Sequence, residues 1–306
     1  MLRFTLQRLL TGIPTLLILI ALSFFLIRTA PGGPFDRDRQ LPPEIEANLR
    51  RSYHLDEPLA LQFARYLGDL SRGDFGPSFQ YRDYTVTELI RAGFPVSLRV
   101  GALAMLLGVL AGVAAGTFAA LWQNRAGDHV VMAAAMTGIS VPTFVTAPLL
   151  VLLLAVSLKW LPAGGTGSWR HLVLPVVTLA LPQIACIARL TRGSMIEVLR
   201  SPFIRTARAQ GLSLATIVLR HALKPALLPV VSYLGPATAA VITGSVVIEQ
   251  IFGLPGIGRF FVTGALNRDY TLVMGVVVFY GTLILVFNFL VDVIYGLLDP
   301  RIRHQS

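Results

Sequence analysis

Six stretches of this chain are apolar and nearly free of charge: 9–27, 100–121, 130–158, 172–188, 226–248 and 270–291. A bilayer core of roughly 30 Å takes about 17–25 such residues in helical form, so the pattern predicts an all-α, polytopic membrane protein with six transmembrane helices. Prolines fall inside several of the runs (Pro14, Pro142, Pro148, Pro175, Pro182, Pro229 and Pro236) and are expected to kink the spans, because neighbouring helices can re-satisfy the freed backbone groups. Glycines recur at Gly101, Gly108, Gly112 and Gly116, and again at Gly235 and Gly244, which predicts close helix packing, with gating movement as the alternative. The polar residues gather in two places. The longer is 28–99, where 41–55 and 58–70 have helical spacing behind prolines and 71–85 is rich in turn formers. It is too short for a sizeable core of its own, so it is expected to pack on the membrane domain, as a solvated cap or as a rim for a soluble partner.

Charge gives the orientation. With the N-terminus inside, the inner segments hold 12 Arg and Lys against Asp128, Glu197 and Asp299, which places both termini in the cytoplasm and leaves 28–99 as one long periplasmic loop. The net charge of +10 therefore reports topology, and nucleic acid is not an expected partner. Arg3 and Arg8 before an apolar run resemble a signal peptide, but 9–27 is longer than such a core and lacks a small-residue cleavage motif, so it is a retained first span. The single cysteine, Cys186, permits no disulfide within the chain and is expected to be a packing residue.

The second polar stretch, 189–225, carries seven Arg or Lys between Arg189 and Lys224 and only Glu197 as an acid. Ser201 is placed to cap a helix, Pro202 to open it and Gly211 to stop it, with Ser213 capping the next. A short amphipathic helix in a basic cytoplasmic loop predicts a surface that docks another protein; the alternative is a basic loop lying on anionic lipid.

Several chemistries are missing. The only lysines, Lys159 and Lys224, do not follow a glycine, so there is no phosphate-binding Walker A loop, and the five histidines lie in separate loops without metal-ligand spacing. Ionisable residues stay at span edges (Arg99, Glu249, Asp269 and Asp292), whereas ion-coupled carriers usually accept the cost of a charge inside the bilayer. An ion-coupled secondary transporter is therefore the second reading, and a passage whose energy comes from another subunit is the first. The GLPGIG at 253–258 lacks a lysine and follows a span, so it reads as a turn leading into an interfacial hairpin.

FIRTARAQG followed by RHALKPALLPV resembles the cytoplasmic EAA loop of bacterial ABC-importer permeases, and the chain is similar to the oligopeptide/dipeptide/nickel branch of that family from end to end. The shared motifs include MLRFTLQRLLTGIPTLLILIALSFFLIRTAPGGP, SVPTFVTAPLL, GSVVIEQIFGLPGIGRFFVTGALNRDYTLV and LLDPRIR. The resemblance implies a type I importer permease fold in the bacterial cytoplasmic membrane, no catalytic residue, and no cofactor in this chain. It implies ATP and Mg on two separate ATPase subunits, a homologous second permease, and a periplasmic or lipid-anchored peptide-binding protein. The EAA triplet falls on Arg205, Thr206 and Ala207 and its glycine on Gly211, so no carboxylate stands at the first position. Phe203 and Ala207 are then expected in a cleft of the ATPase, with Arg205 and Arg208 on its acidic rim. Glu249 and Arg259 are expected to form an interfacial ion pair or to contact the binding protein, and Asp269 to cap the last span or to join that contact.

Overall fold

Inside a bilayer no water satisfies a backbone N–H or C=O, so the apolar runs close their hydrogen bonds within helices. The computed structural model describes residues 2–29, 56–81 and 83–298, and the helix expected at 41–55 lies outside them. The described chain is helical throughout apart from turns: α1 (Leu2–Thr29), α2 (Leu59–Ser71), α3 (Val86–Leu121), α4 (Ala126–Ser140), α5 (Thr143–Ser157), α6 (Arg170–Leu199), α7 (Pro202–Ala209), α8 (residues 214–226), α9 (Leu228–Gly244), α10 (Val246–Ile251), α11 (Ile257–Leu266) and α12 (Tyr270–Leu298). Five helices are long and apolar enough to cross a membrane, in α1, α3, α6, the α9–α10 pair and α12.

The run 130–158 is not one helix. It breaks between α4 and α5 with a bend of 105°. Pro142 forces the residue before it out of the helical region, and Val141 is extended at φ −103 and ψ 121. The expected proline kink is thus a full break. Two other helices outrun their apolar stretches. α3 begins at Val86 because Thr85 and Glu88 form a capping box: the Thr85 amide and hydroxyl donate to the Glu88 carboxylate at 2.8 and 2.9 Å, and the Glu88 amide donates to the Thr85 hydroxyl at 3.2 Å. α6 continues past Arg189 to Leu199, since helical hydrogen bonds do not require apolar side chains.

Contacts divide the chain into two units, one built on Ser97–Leu254 and the other on Leu6–Val96 with Pro255–Leu283. The first is organised around α6, against which α4, α5, α8, α9 and α10 all pack. Helices in lipid gain little from hydrophobic exclusion, so association depends on close packing at small residues. Gly108 of α3 faces Gln183, Gly112 faces Ile187, and Gly116 lies so close to the Ala188 carbonyl that a Cβ there would overlap it. Two polar contacts add direction. The Tyr233 hydroxyl of α9 donates to Gln183 Oε1 at 2.8 Å, and Arg192 donates through Nε and a terminal nitrogen to both Asp128 oxygens at 2.7 and 2.6 Å. In the second unit Ile20 and Phe24 of α1 pack with Tyr66, Met274 and Val278, while Val86, Leu89 and Ile90 pack with Ile257, Leu272 and Val276.

The α3–α6 seam makes a direct prediction. Gly116→Ala is expected to cost roughly 1–3 kcal/mol by overpacking against immobile backbone. Gly193→Ala on α6, where a Cβ meets nothing within 4 Å, is expected to be neutral or to gain up to about 1 kcal/mol. Thermal unfolding midpoints of the two variants in detergent check the contrast; equal midpoints would remove the seam from the stability argument.

The Asp128–Arg192 pair makes another. Asp128 is 1% exposed, so Arg192→Ala strands a buried carboxylate and is expected to cost roughly 2–4 kcal/mol, given that Arg192 is itself partly solvated. The Asp128→Ala, Arg192→Ala double variant is expected to recover part of that loss. Strict additivity in the cycle would show that the two side chains are not coupled.

Candidate functional site

α7 is eight residues long and keeps its shape through its ends and its seat. Pro202 occupies the first helical position, where its missing N–H costs nothing. Ser201 has the extended backbone of an N-cap, but its hydroxyl donates backward to the Val198 carbonyl at 2.6 Å rather than accepting from the helix. The far end closes as a Schellman motif. Gly211 sits at φ +78, its amide donates to the Arg208 carbonyl at 2.9 Å, and the Leu212 amide donates to Ala207 at 3.3 Å. Ser213 then caps α8 by accepting from the Thr216 amide at 3.3 Å.

The seat is made by Ile204 and Ala207. Both are buried in an apolar cluster with Ala120, Met195, Ile217 and Val218. Phe203, Arg205, Thr206, Arg208 and Gly211 remain exposed, Phe203 at 49%. The expected pairing of Phe203 with Ala207 on one outward face is therefore corrected. At 100° per residue the inward direction falls between positions 204 and 207, which puts Ala207 inside and leaves Phe203 on the shoulder of the buried stripe. Periodicity alone leaves open which side of that stripe meets the chain's own core. The exposed surface around α7 is basic and apolar together, with Arg220, Lys224, Leu212, Leu214 and Leu219 also open to solvent.

The residues offered as outer contacts separate. Asp269 is fully buried: it accepts from the Ser78 hydroxyl at 2.5 Å, the Gln80 amide at 2.9 Å and the Leu272 amide at 3.0 Å. It caps α12 and pins the turn at 78–80, so it has no surface to offer a soluble partner. Glu249 is also fully buried, with the Ser245 hydroxyl donating to it at 2.6 Å. A carboxylate held this way is satisfied from within, which removes both acids as outer contacts. Arg259, on α11, is exposed.

Sequence reasoning missed the residues that steady the arm leading to α7. Asp128 and Arg192 lie 64 positions apart, and Arg200 donates to Gln123 Oε1 at 3.1 Å across 77 positions. Both contacts bind the turn between α3 and α4 to the last turns of α6, immediately before α7. The one available signal was that Asp128 is the only acid in its segment. Among the described residues no three His, Cys, Asp or Glu side chains gather as metal ligands.

This architecture has known counterparts. Residues 112–304 match the model of the binding-protein-dependent transport system inner membrane component, and residues 1–100 match its N-terminal companion. The oligopeptide transport system permease protein OppB of Salmonella typhimurium is 58% identical over 306 residues, covering 99% of this chain and 100% of that protein. The dipeptide transport system permease protein DppB of Bacillus subtilis is 44% identical over 303 residues, covering 99% and 98%. In structure, an inward-facing form of the MetNI methionine ABC transporter aligns with a TM-score of 0.59 at 19% identity, covering 69% of this chain and 96% of that one. With its helical membrane architecture and these end-to-end matches, the chain belongs to the binding-protein-dependent transport system inner membrane component family, as a multi-pass permease subunit of an ABC importer.

Proposed function

We propose that this subunit forms the translocation pathway of an oligopeptide importer together with a homologous second permease, and that α7 is the helix through which two separate ATPase subunits drive it. The observation that carries the reading is the construction of α7: two residues wedge it into the chain's own core, and the exposed side presents Phe203 on one shoulder of that buried stripe with Arg205 and Arg208 together on the other side. Such a surface fits an apolar cleft with an acidic rim, and a helix opened by Pro202, closed by its Schellman motif and seated in the core moves as a rigid body. ATP and Mg belong on the ATPase subunits, because the sequence offers no Walker A loop. Closure of the ATPases displaces α7, the continuous α6 carries the displacement into the membrane, and the pathway alternates between outward and inward openings. A peptide-binding protein delivers substrate at the outer face, where Arg259 remains a candidate contact. The oligopeptide assignment is supported by the 58% identity with a protein named for oligopeptide transport, against 44% with one named for dipeptides.

Because Ala207 is interior, Ala207→Asp would bury an unpaired charge and damage the fold itself. The docking test therefore uses Phe203→Asp and the pair Arg205→Glu, Arg208→Glu. Each is expected to leave the detergent melting midpoint nearly unchanged, as surface substitutions do, and to weaken recovery of ATPase subunits by roughly 10- to 30-fold, the size of a hot-spot loss. Co-purification assays with ATPase activity read on the eluate check this. Full recovery with either variant would move docking elsewhere, and peptide uptake by the purified single chain under an ion gradient would establish the carrier reading instead.

A further inference from the structure

The loop joining α5 to α6 gathers basic side chains that the transport mechanism does not use. Lys159, Trp160, Ser168, Arg170 and His171 line a cavity of about 330 Å³. Between Asp128 and Glu197 the sequence has no acidic residue, so these cations have no carboxylate from their own segment. No hydrogen bond or ion pair engages Lys159 among the described residues. Arg170 donates to the Trp160 carbonyl, which uses one of its five N–H groups and fixes the guanidinium at the rim. His171 Nδ1 receives the Ser168 amide at 3.3 Å, with the Ser168 hydroxyl 2.9 Å away. A ring nitrogen that accepts from an amide carries no proton, so the imidazole N–H is on Nε2 and adds a further donor.

The cavity is preformed. The Trp160 and Leu161 amides both donate to the Leu154 carbonyl, at 2.9 and 3.2 Å, and the Gly165 amide donates to the Phe252 carbonyl at 2.7 Å. Lys159 is held at φ +53, a left-handed conformation uncommon for a residue with a side chain and sustained only where the surroundings impose it. The approach to the cavity is apolar. The last turns of α5, Val151–Ser157, contain no buried residue, and Leu152, Leu153 and Val156 are each more than half exposed. That surface ends at Trp160 and Trp169, which are 62% and 73% exposed. Tryptophans at the end of a lipid-facing helix mark the headgroup level of a bilayer.

We propose that this cavity binds the phosphodiester headgroup of an anionic phospholipid, with Lys159, Arg170 and His171 Nε2 as donors and the two tryptophans lying against the acyl–headgroup boundary. The site anchors the α5–α6 loop to the membrane surface and acts independently of the α7 docking face.

The chain has three tryptophans, so Trp122→Phe leaves Trp160 and Trp169 as the only indole reporters. The full-length Trp122→Phe chain in mixed micelles is titrated with phosphatidylglycerol brominated near the headgroup, and separately with phosphatidylcholine brominated at the same position. Phosphatidylglycerol is expected to reach half-maximal quenching at roughly 25-fold lower mole fraction, about fivefold for each of Lys159 and Arg170 near an anionic surface. Lys159→Gln, at an exposed side chain with no contacts to lose, is expected to lower the preference about fivefold and leave the share of Arg170, whereas Lys159→Arg keeps it. Equal quenching by the two lipids in the parent chain would overturn the site. Loss of the preference in tens of millimolar inorganic phosphate would show that free phosphate, not lipid, is what the cavity takes, and would overturn the lipid assignment.

Discussion

Backbone-to-backbone approach of α3 and α6 at Gly108, Gly112 and Gly116 is the contact on which the larger unit depends. Lipid tails are as apolar as leucine, so nothing like aqueous exclusion pushes these helices together. What remains is dispersion at short range, and it accumulates only where side chains do not hold the axes apart. The spacing of four residues keeps the three glycines on one face, and the facing surface of α6 supplies Gln183, Ile187, Ala188 and Thr191. Once α6 is fixed there, α4 and α5 pack on it from either side of the break at Pro142, and α9 is held by the Tyr233–Gln183 hydrogen bond.

For the proposed coupling role, the same helix gives a short segment outside the membrane a route to the pathway. α6 is 30 residues long, roughly 45 Å at helical rise, and uninterrupted from Arg170 to Leu199. Its last turns are tied to the α3–α4 turn by Arg192–Asp128 and Arg200–Gln123, and the chain then enters α7 through Ser201 and Pro202. A push on α7 therefore meets a stiff lever instead of a loose loop. The seat of α7 on Met195 and Ile217 adds a second attachment, through α8.

Two buried acids show how this chain manages polarity through neighbouring hydroxyls and amides. Glu249 takes the Ser245 hydroxyl one turn earlier in its own segment, and Asp269 takes a hydroxyl and two amides around the start of α12. These carboxylates hold turns in place, while the basic side chains on α7 and at the α5–α6 loop are left open to solvent.

Much of this was legible in the residues. Length and apolarity determined the spans, because a bilayer imposes a minimum helix length, and Pro202 and Gly211 delimited α7, because each restricts the backbone locally. The Thr85–Glu88 box was equally local and available. The tertiary structure alone decided what depended on a second surface. That Val141–Pro142 is a break of 105° and not a kink depends on the packing that α4 and α5 each find against α6. That Ala207 points inward, that Asp269 and Glu249 are sealed, and that Arg192 meets Asp128 across 64 residues depends on which faces are brought together. A sequence carries the periodicity of a helix, but the partner of each face is chosen only when the chain has closed upon itself.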